Sequence, residues 1–255
     1  MSVSRRATLY TMRRTLGLLL CELHAHTRWS DGELTVRELV DLHGRGGFDV
    51  LCITDHVVRT DDPWREEEGA IFSSIDEATF PLYLGEVDRE AARAARTYGM
   101  LVIPGLELTF NDPEPVMAAH AVAVGLRHFV SVDDGIAEAM RTAAEAGAAI
   151  IAAHPSSDEP ELVRGRLTKR FSRDAGLRAL AHRFELFNRT QLFGWIAAAA
   201  LPAVASGDFH APQHLLGWKT LLPSTYDETA VVDYLRSPRP VYLARLDDEH
   251  VRAVA

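Results

Sequence analysis

Short apolar runs separated by helical patterns constrain this chain more than any other feature. The runs occupy 18–23, 50–53, 100–106, 121–124, 149–153, 184–187 and 203–206. Each is too short for a helix and carries no three-to-four-residue stripe, which marks a strand buried on both faces. Between them, Leu84, Val87, Ala91, Ala95 and Tyr98 recur at helical steps through 82–98. Spans 35–43 and 133–146 behave alike, with Thr35 and Asp133 as N-caps and Gly44 and Gly147 as stops. This alternation predicts an α/β fold with parallel strands. About seven units in about 240 residues suit a closed barrel better than an open sheet.

One domain is the simplest organisation: a tail over 1–15, then a barrel over 16–255 with loop insertions near 59–81 and 156–182. The first insertion gathers Asp61, Asp62, Glu66, Glu67 and Glu68 around Trp64. Within and just beyond the second, 163–183 carries Arg164, Arg166, Lys169, Arg170, Arg173, Arg178 and Arg183 against the single acid Asp174. That run reads as a solvated face or as an anion contact. Residues 211–255 add a helix around 226–236 and an apolar segment at 241–243, read as barrel closure.

Composition narrows the function classes. With 27 basic and 36 acidic residues the net charge is −9, which disfavours an indiscriminate nucleic-acid binder. Two cysteines exclude a disulfide framework, and Cys21 and Cys52 read as buried strand thiols. Ser4-Arg5-Arg6 lacks the apolar stretch of a signal peptide, and no run reaches the length of a membrane helix. The expectation is a cytoplasmic protein without a membrane partner.

The 11 histidines decide the reading. His24 and His26 follow the first run, and in extended chain i and i+2 face one way. Such a pair arises by chance about half a time in a chain like this, so it says little by itself. Further along stand Asp31 in Ser30-Asp31-Gly32, His56 after Thr54-Asp55, Glu107 after Gly105-Leu106, His154 before Pro155, and Asp208 with His210. All of these follow apolar runs, the end of the strand where α/β barrels build their sites. His120 precedes its run; a third strand continued through Thr109-Phe110 and turned at 111–115 would return it near Glu107. Burying so many ionisable groups together is costly unless a metal or protons compensate.

These motifs resemble the polymerase and histidinol phosphatase (PHP) family: His24-Ala25-His26-Thr27, Ser30-Asp31-Gly32, Ile53-Thr54-Asp55-His56, Gly105-Leu106-Glu107, His120, Ala153-His154-Pro155 and Ser206-Gly207-Asp208-Phe209-His210. They run in family order over 22–210. The resemblance implies a distorted (β/α)7 TIM-like barrel with two to three divalent ions. It assigns His24, His26, Glu107 and Asp208 to a first ion, and Asp31, His56 and His210 to a second. Glu107, as a bridge, joins His120 and His154 at a third. Glu185 and Asn188 match a family segment on the sixth strand, and the resemblance implies that they support the ligands from behind. Where many relatives have a small residue in the last motif, Phe209 is bulky and would narrow the pocket.

The implied chemistry is hydrolysis of a small-molecule or nucleotide phosphate ester by a metal-bridging hydroxide, with no side-chain nucleophile. The donor set suits zinc, manganese or iron. Asp55 is placed either behind a ligand histidine or as a strand-end cap. Arg28, Arg59 and Arg189 are the candidate phosphate contacts, with Arg28 ranked first because it lies between His26 and Asp31. Trp29, Trp64 and Phe209 either stack on a substrate ring or pack. Two other functions stay open: an exonuclease on single-stranded DNA or RNA, kept by the basic 163–183 segment, and a non-catalytic metal-binding module.

Overall fold

The computed structural model describes residues 16–63, 73–157 and 168–247. Residues 1–15, Trp64 with Glu66–Glu68, and Arg164 with Arg166 lie outside the described residues. The strands are β1 (Leu19–Glu22), β2 (Val50–Ile53), β3 (His56–Val58), β4 (Leu101–Phe110), β5 (Ala119–Val124), β6 (Ala149–Ala153), β7 (Arg183–Asn188), β8 (Gln191–Leu192), β9 (Ala203–Ser206), β10 (Gly217–Leu222) and β11 (Tyr242–Leu246). The helices are α1 (Val36–Arg45), α2 (Phe80–Tyr98), α3 (Ile136–Glu145), α4 (Arg170–Arg173), α5 (Ala175–Arg178), α6 (Gly194–Ala198) and α7 (Glu228–Arg236).

The strands join in one mixed, curled sheet of the TIM-like kind. Its order is β11-β10-β1-β2-β4-β5-β6-β7-β8, with β3 beside β4 and β9 beside β7. Pairs β1–β2, β2–β4, β6–β7 and β7–β9 are parallel, as the alternation predicts, but β5 runs antiparallel to both β4 and β6. The reason is the connection: only residues 111–118 separate β4 from β5, enough for a hairpin and too few for a parallel crossover. That hairpin pairs His120 with Thr109, so His120 lies inside its strand rather than before it. A bridge between Ala25 and Phe209 brings the chain ends of β1 and β9 together. Lower down, Thr220 of β10 closes the same seam, its Oγ accepting from Ala205 N (2.9 Å) and donating to Ala205 O (2.8 Å).

Strand alternation separates two buried layers. Val50, Cys52, Ile103, Val122, Val124, Ala149, Ile151 and Val204 form one cluster on the inner face of the curl. Leu51, Ile53, Val102, Leu106, Ala121, Ala123, Ile150 and Ala152 pack outward with the helices. Val231, Val232, Tyr234 and Leu235 of α7 join the inner cluster, so this helix plugs one mouth. Arg183 anchors the plug: its guanidinium donates to the carbonyls of Tyr234, Leu235, Ser237 and Arg239. It is therefore spent on a helix C-terminus and not on an anion.

Helix limits differ in instructive ways. Thr35 caps α1 in a reciprocal capping box with Glu38, but the helix runs past Gly44 to Arg45. Gly44 lies flat against the Tyr98 ring, where a Cβ would collide. It is a packing glycine between α1 and α2 rather than a stop. Asp133 does not cap α3, whose N-cap is Gly135. Its carboxylate instead accepts from Thr60 N (2.7 Å) and Oγ (3.1 Å). The α2 stripe also shifts, burying Phe80, Tyr83, Val87 and Ala94.

His43, in α1, gives a stability prediction. Its Nδ1 donates to Leu39 O at 3.0 Å, while Nε2 is buried without a hydrogen-bond partner between the rings of Phe48 and Phe209. Burial pulls its pKa down to about 4; the Glu22 charge opposes this and Lys219 reinforces it. Below the ordinary imidazole pKa the unfolded chain binds a proton that the folded chain refuses, so stability falls with pH. The loss attributable to His43 reaches about 2.5 kcal/mol by pH 4.5. In urea titrations at pH 7 and 4.5, His43→Leu is expected to lose less stability on acidification than the parent by that amount. Equal losses in the two proteins would refute the assignment.

Candidate metal centre

The inward register delivers several site residues directly. Continuing the two-residue alternation past Ile103 leads through Gly105 to Glu107; from Val122 it leads back to His120; from Cys52 it leads to His56; from Val204 it leads to Asp208. His154 breaks this parity and takes φ +30°, and Asp208 takes φ +41°. Arg189, the residue beside the Asp208 loop, has φ +55°. Non-glycine residues held in the left-handed region cost energy, and they cluster where a constellation of side chains must be aimed.

The structure brings all nine of the singled-out histidines and acids together. Glu107, fully buried, is the hub. Its Oε2 lies 3.1 Å from His24 Nε2, 3.2 Å from His26 Nε2 and 3.0 Å from His56 Nδ1. Its Oε1 lies 3.1 Å from His120 Nδ1 and 3.2 Å from His154 Nε2. Asp208 Oδ1 is 3.6 Å from His24 Nε2, 3.5 Å from His26 Nε2 and 3.4 Å from His210 Nδ1. Asp31 meets His210 Nε2 at 3.2 Å and His56 Nε2 at 3.5 Å. Three groups have ligand atoms close enough to share an ion: His24, His26 and Glu107; His26, Asp31, His56 and His210; and Glu107, His120 and His154.

A donor count tests whether cations fit here. His24, His26, His120 and His154 each have one nitrogen facing an acceptor outside the cluster, whereas His56 Nδ1 also lies 3.0 Å from Glu107 Oε2 and His210 Nδ1 also lies 3.2 Å from Arg189. His24 Nδ1 meets Glu185 Oε1 (2.9 Å), and His210 Nδ1 meets Asp208 O (2.9 Å). His120 Nε2 meets Asn111 Oδ1 (3.0 Å), and His56 Nδ1 meets Thr109 Oγ (2.7 Å). His26 Nδ1 meets Ser30 Oγ and His154 Nδ1 meets Thr168 Oγ, both at 3.4 Å. The three hydroxyls place their own protons elsewhere, on Glu107 O, Asp55 Oδ1 and His154 O. So in His24, His26, His120 and His154 the outer nitrogen carries N–H, and in a neutral ring the inner nitrogen is a bare lone pair. Those inner lone pairs face carboxylate oxygens and, for His24 and His26, each other at 3.0 Å. Lone pairs held this close require protons or metal ions between them.

Electrostatics agree. Burial opposes charge on His24, yet the carboxylates of Glu107, Asp208 and Glu185 outweigh it and hold its pKa well above the usual value. The same contest, led by burial and then Glu107 and Asp31, pushes His56 up to about 9. Asp31, Glu107 and Asp208 are held far below the carboxylate range by the surrounding histidines despite burial. For His120 burial wins and lowers the pKa to about 4, so the ring is neutral, and its one proton faces Asn111 Oδ1. The residues present fit a cation there.

Around this hub, Glu185 is a second anchor. Its Oε2 accepts from His154 N (2.6 Å) and Asn188 Nδ2 (2.8 Å), and its Oε1 also accepts from Ser206 Oγ. Asp55 touches no histidine; it accepts from Thr27 N, Thr27 Oγ and Ser30 Oγ, and so fixes the turn that carries Asp31. Of the three candidate arginines, only Arg189 reaches the cluster, donating to Asp208 O (2.8 Å) and Oδ2 (3.3 Å). Arg28 is exposed and donates to Glu33 O, and Arg59 lies over the Phe110 ring at 4.2 Å. Trp29 packs edge-on against Tyr83 and donates to Glu86. Phe209 is fully buried and faces the core rather than a substrate.

Sequence reasoning missed Asp62, Asn111, Thr109, Thr168 and the Glu22–Lys219 pair. A signal existed for the last: an acid inside the apolar run 18–23 and a lysine inside Gly217–Leu222 each need a buried partner. Lys219 Nζ lies 2.7 Å from Glu22 Oε2, both fully buried. Glu22 Oε1 accepts from Gly207 N at 2.7 Å, tying β1 to the loop that carries Asp208. A Cβ on Gly207 would strike both partners, which requires glycine there.

Comparison with known proteins bears on the fold. Neither a protein-family model nor a curated protein matches the sequence. The chain is similar in fold to part of a two-domain protein from Bacteroides vulgatus that contains a predicted PHP-like metal-dependent phosphoesterase, with a TM-score of 0.62, 20% identity and 89% of this chain covered. It spans 65% of that protein's length. PsfC from Pseudomonas syringae is also similar, with a TM-score of 0.57, 15% identity and coverage of 93% of this chain and 95% of PsfC. Among the described residues, no helix is long and apolar enough to cross a membrane.

Proposed function

We propose that this chain is a PHP-type metal-dependent phosphoesterase that hydrolyses a phosphate ester of a small molecule or nucleotide at a centre of two to three divalent ions. The observation that carries the reading is the donor count: four imidazoles, His24, His26, His120 and His154, commit their protons outward and leave bare nitrogens facing the shared carboxylates Glu107 and Asp208. Likeness in fold to the PHP-like protein supports it. We read the curled sheet as a distorted seven-unit barrel on the strand ring β1-β2-β4-β5-β6-β7-β9 and the Ala25–Phe209 bridge.

In this reading His24, His26, Glu107 and Asp208 hold one ion, Asp31, His56 and His210 a second, and Glu107, His120 and His154 a third. Zinc, manganese and iron suit this imidazole–carboxylate set. When bound, such ions supply Lewis acidity: they acidify water and offset phosphoryl charge. The chain's own groups position the centre. Glu185 holds the His24 ring and the His154 backbone; Asp55 holds the Asp31 turn. Arg189 is the phosphate contact, because it is the arginine beside Asp208 and His210. Small esters are favoured over polymers because much of the described basic segment is engaged internally. Arg178 donates to Phe171 O, Arg170 pairs with Asp174, and Arg183 holds α7.

The test is metal analysis together with a screen of phosphomonoesters, phosphodiesters and short oligonucleotides in Mn²⁺ or Zn²⁺. Two to three ions per chain and hydrolysis of a monoester or nucleotide ester, abolished by a chelator, are expected. Protein that stays metal-free in excess Mn²⁺ and Zn²⁺ would refute the centre. A metal-loaded protein inert to every ester would make it a binding module, and cleavage of oligonucleotides alone would make it a nuclease.

A further inference from the structure

Asn111, at the turn between β4 and β5, is 2% exposed and joins two ionisable groups. Its Nδ2 donates to Asp62 Oδ2 at 2.9 Å, and its Oδ1 lies 3.0 Å from His120 Nε2. A carboxylate only accepts hydrogen bonds, so Asp62 determines which end of the amide it faces. The amide oxygen is thereby turned to His120. That oxygen also only accepts, so His120 must carry its proton on Nε2. Its Nδ1 is left bare, 3.1 Å from Glu107 Oε1. His120 commits Nε2 outward, whereas His24, His26 and His154 commit Nδ1.

The backbone clamps this chain of contacts. Asp62 N donates to Arg59 O at 3.2 Å, and Arg59 reaches across to Asn111 O at 3.3 Å while its guanidinium lies over Phe110. Arg59 therefore belongs to the clamp rather than to a substrate contact.

We propose that Asp62 and Asn111 are positioning residues that set the tautomer and orientation of His120, and through it the affinity of the ion held by Glu107, His120 and His154. This rests on reading those three as ligands. Each hydrogen bond in this relay dictates the next. Outer partners of ligand histidines typically change metal affinity about 10- to 100-fold when removed.

The experiment titrates metal-free protein with Mn²⁺ and with Zn²⁺, reading bound ions by elemental analysis and affinities by calorimetry. His120→Ala identifies which ion depends on that ring. Asn111→Leu keeps the volume but removes the acceptor, and is expected to weaken that same ion about 10- to 100-fold while sparing the others. Asp62→Asn keeps a hydrogen bond but loses its direction, because two amides pair either way round, and weakens the ion in the same sense. The double variant Asp62→Asn/Asn111→Asp reverses the roles, restores an acceptor for His120 Nε2 and should recover the affinity. The relay falls if Asn111→Leu binds that ion as tightly as the parent, if all ions weaken alike, or if the double variant is no better than Asn111→Leu. His120→Ala retaining every ion would instead strike the ligand assignment, and the relay with it.

Discussion

Glu107→Gln is expected to remove at least one ion per chain and to lower kcat/KM for the best ester at least about a thousandfold, close to 4 kcal/mol of transition-state stabilisation. No other side chain carries so much of the centre. Imidazole nitrogens of five histidines stand within 3.2 Å of its two oxygens. An amide has the same shape, but it has one acceptor oxygen and no charge, and its NH₂ would donate to the bare ring nitrogens that are read as ligand atoms. Glu107 also belongs to two of the three potential ion groups, so its loss cannot be confined to one. Circular dichroism should show the variant folded, because glutamine fills the same volume as glutamate and adds no buried charge. A full metal complement with activity within tenfold of the parent would unseat Glu107 as the bridge.

Lys219→Met is expected to cost about 3–5 kcal/mol of stability, the usual penalty for leaving a buried charge without its partner. Glu22 and Lys219 are fully buried, 2.7 Å apart, and between them hold Gly207 N and His214 O. Removing the ammonium strands a carboxylate behind the first and last ligand loops. The double variant Glu22→Gln/Lys219→Met removes both charges and should recover most of the loss. Urea unfolding of the metal-free proteins checks this, since bound ions would mask the difference by mass action. A loss below about 1 kcal/mol for Lys219→Met would mean that water reaches the pair.

Much of the site was legible in the linear chain because strand geometry is local. An apolar run of four to six residues declares a strand, and the polar residue at its end inherits a known face and a known mouth. Glu107, His56 and Asp208 were therefore placed together by their position at the ends of apolar runs. His120 was reached by a less direct route, through a hairpin inferred from the Asn111–Pro115 turn. Other expectations failed for equally physical reasons. Arg28 is near the ligands in sequence, but its guanidinium turns to Glu33 O. Arg189, remote in sequence from the Asp208 motif, lies against it because β7 and β9 are parallel neighbours. Glycines at 44 and 147 looked alike as helix stops, yet one is pressed against a tyrosine ring and only the other follows a helix end.

By itself the sequence determined the seven core strands, the identity of the converging histidines and acids, and their order around the mouth, because period and chain direction are properties of neighbouring residues. Tertiary structure decided the rest. It reversed β5, made α7 a plug, paired Glu22 with Lys219 across 197 positions, and linked Asp62 through Asn111 to His120. Those features depend on which polar groups are shut away from water together. A buried hydrogen bond or ion pair acquires its strength and its direction only when solvent is excluded, and no local pattern records that exclusion.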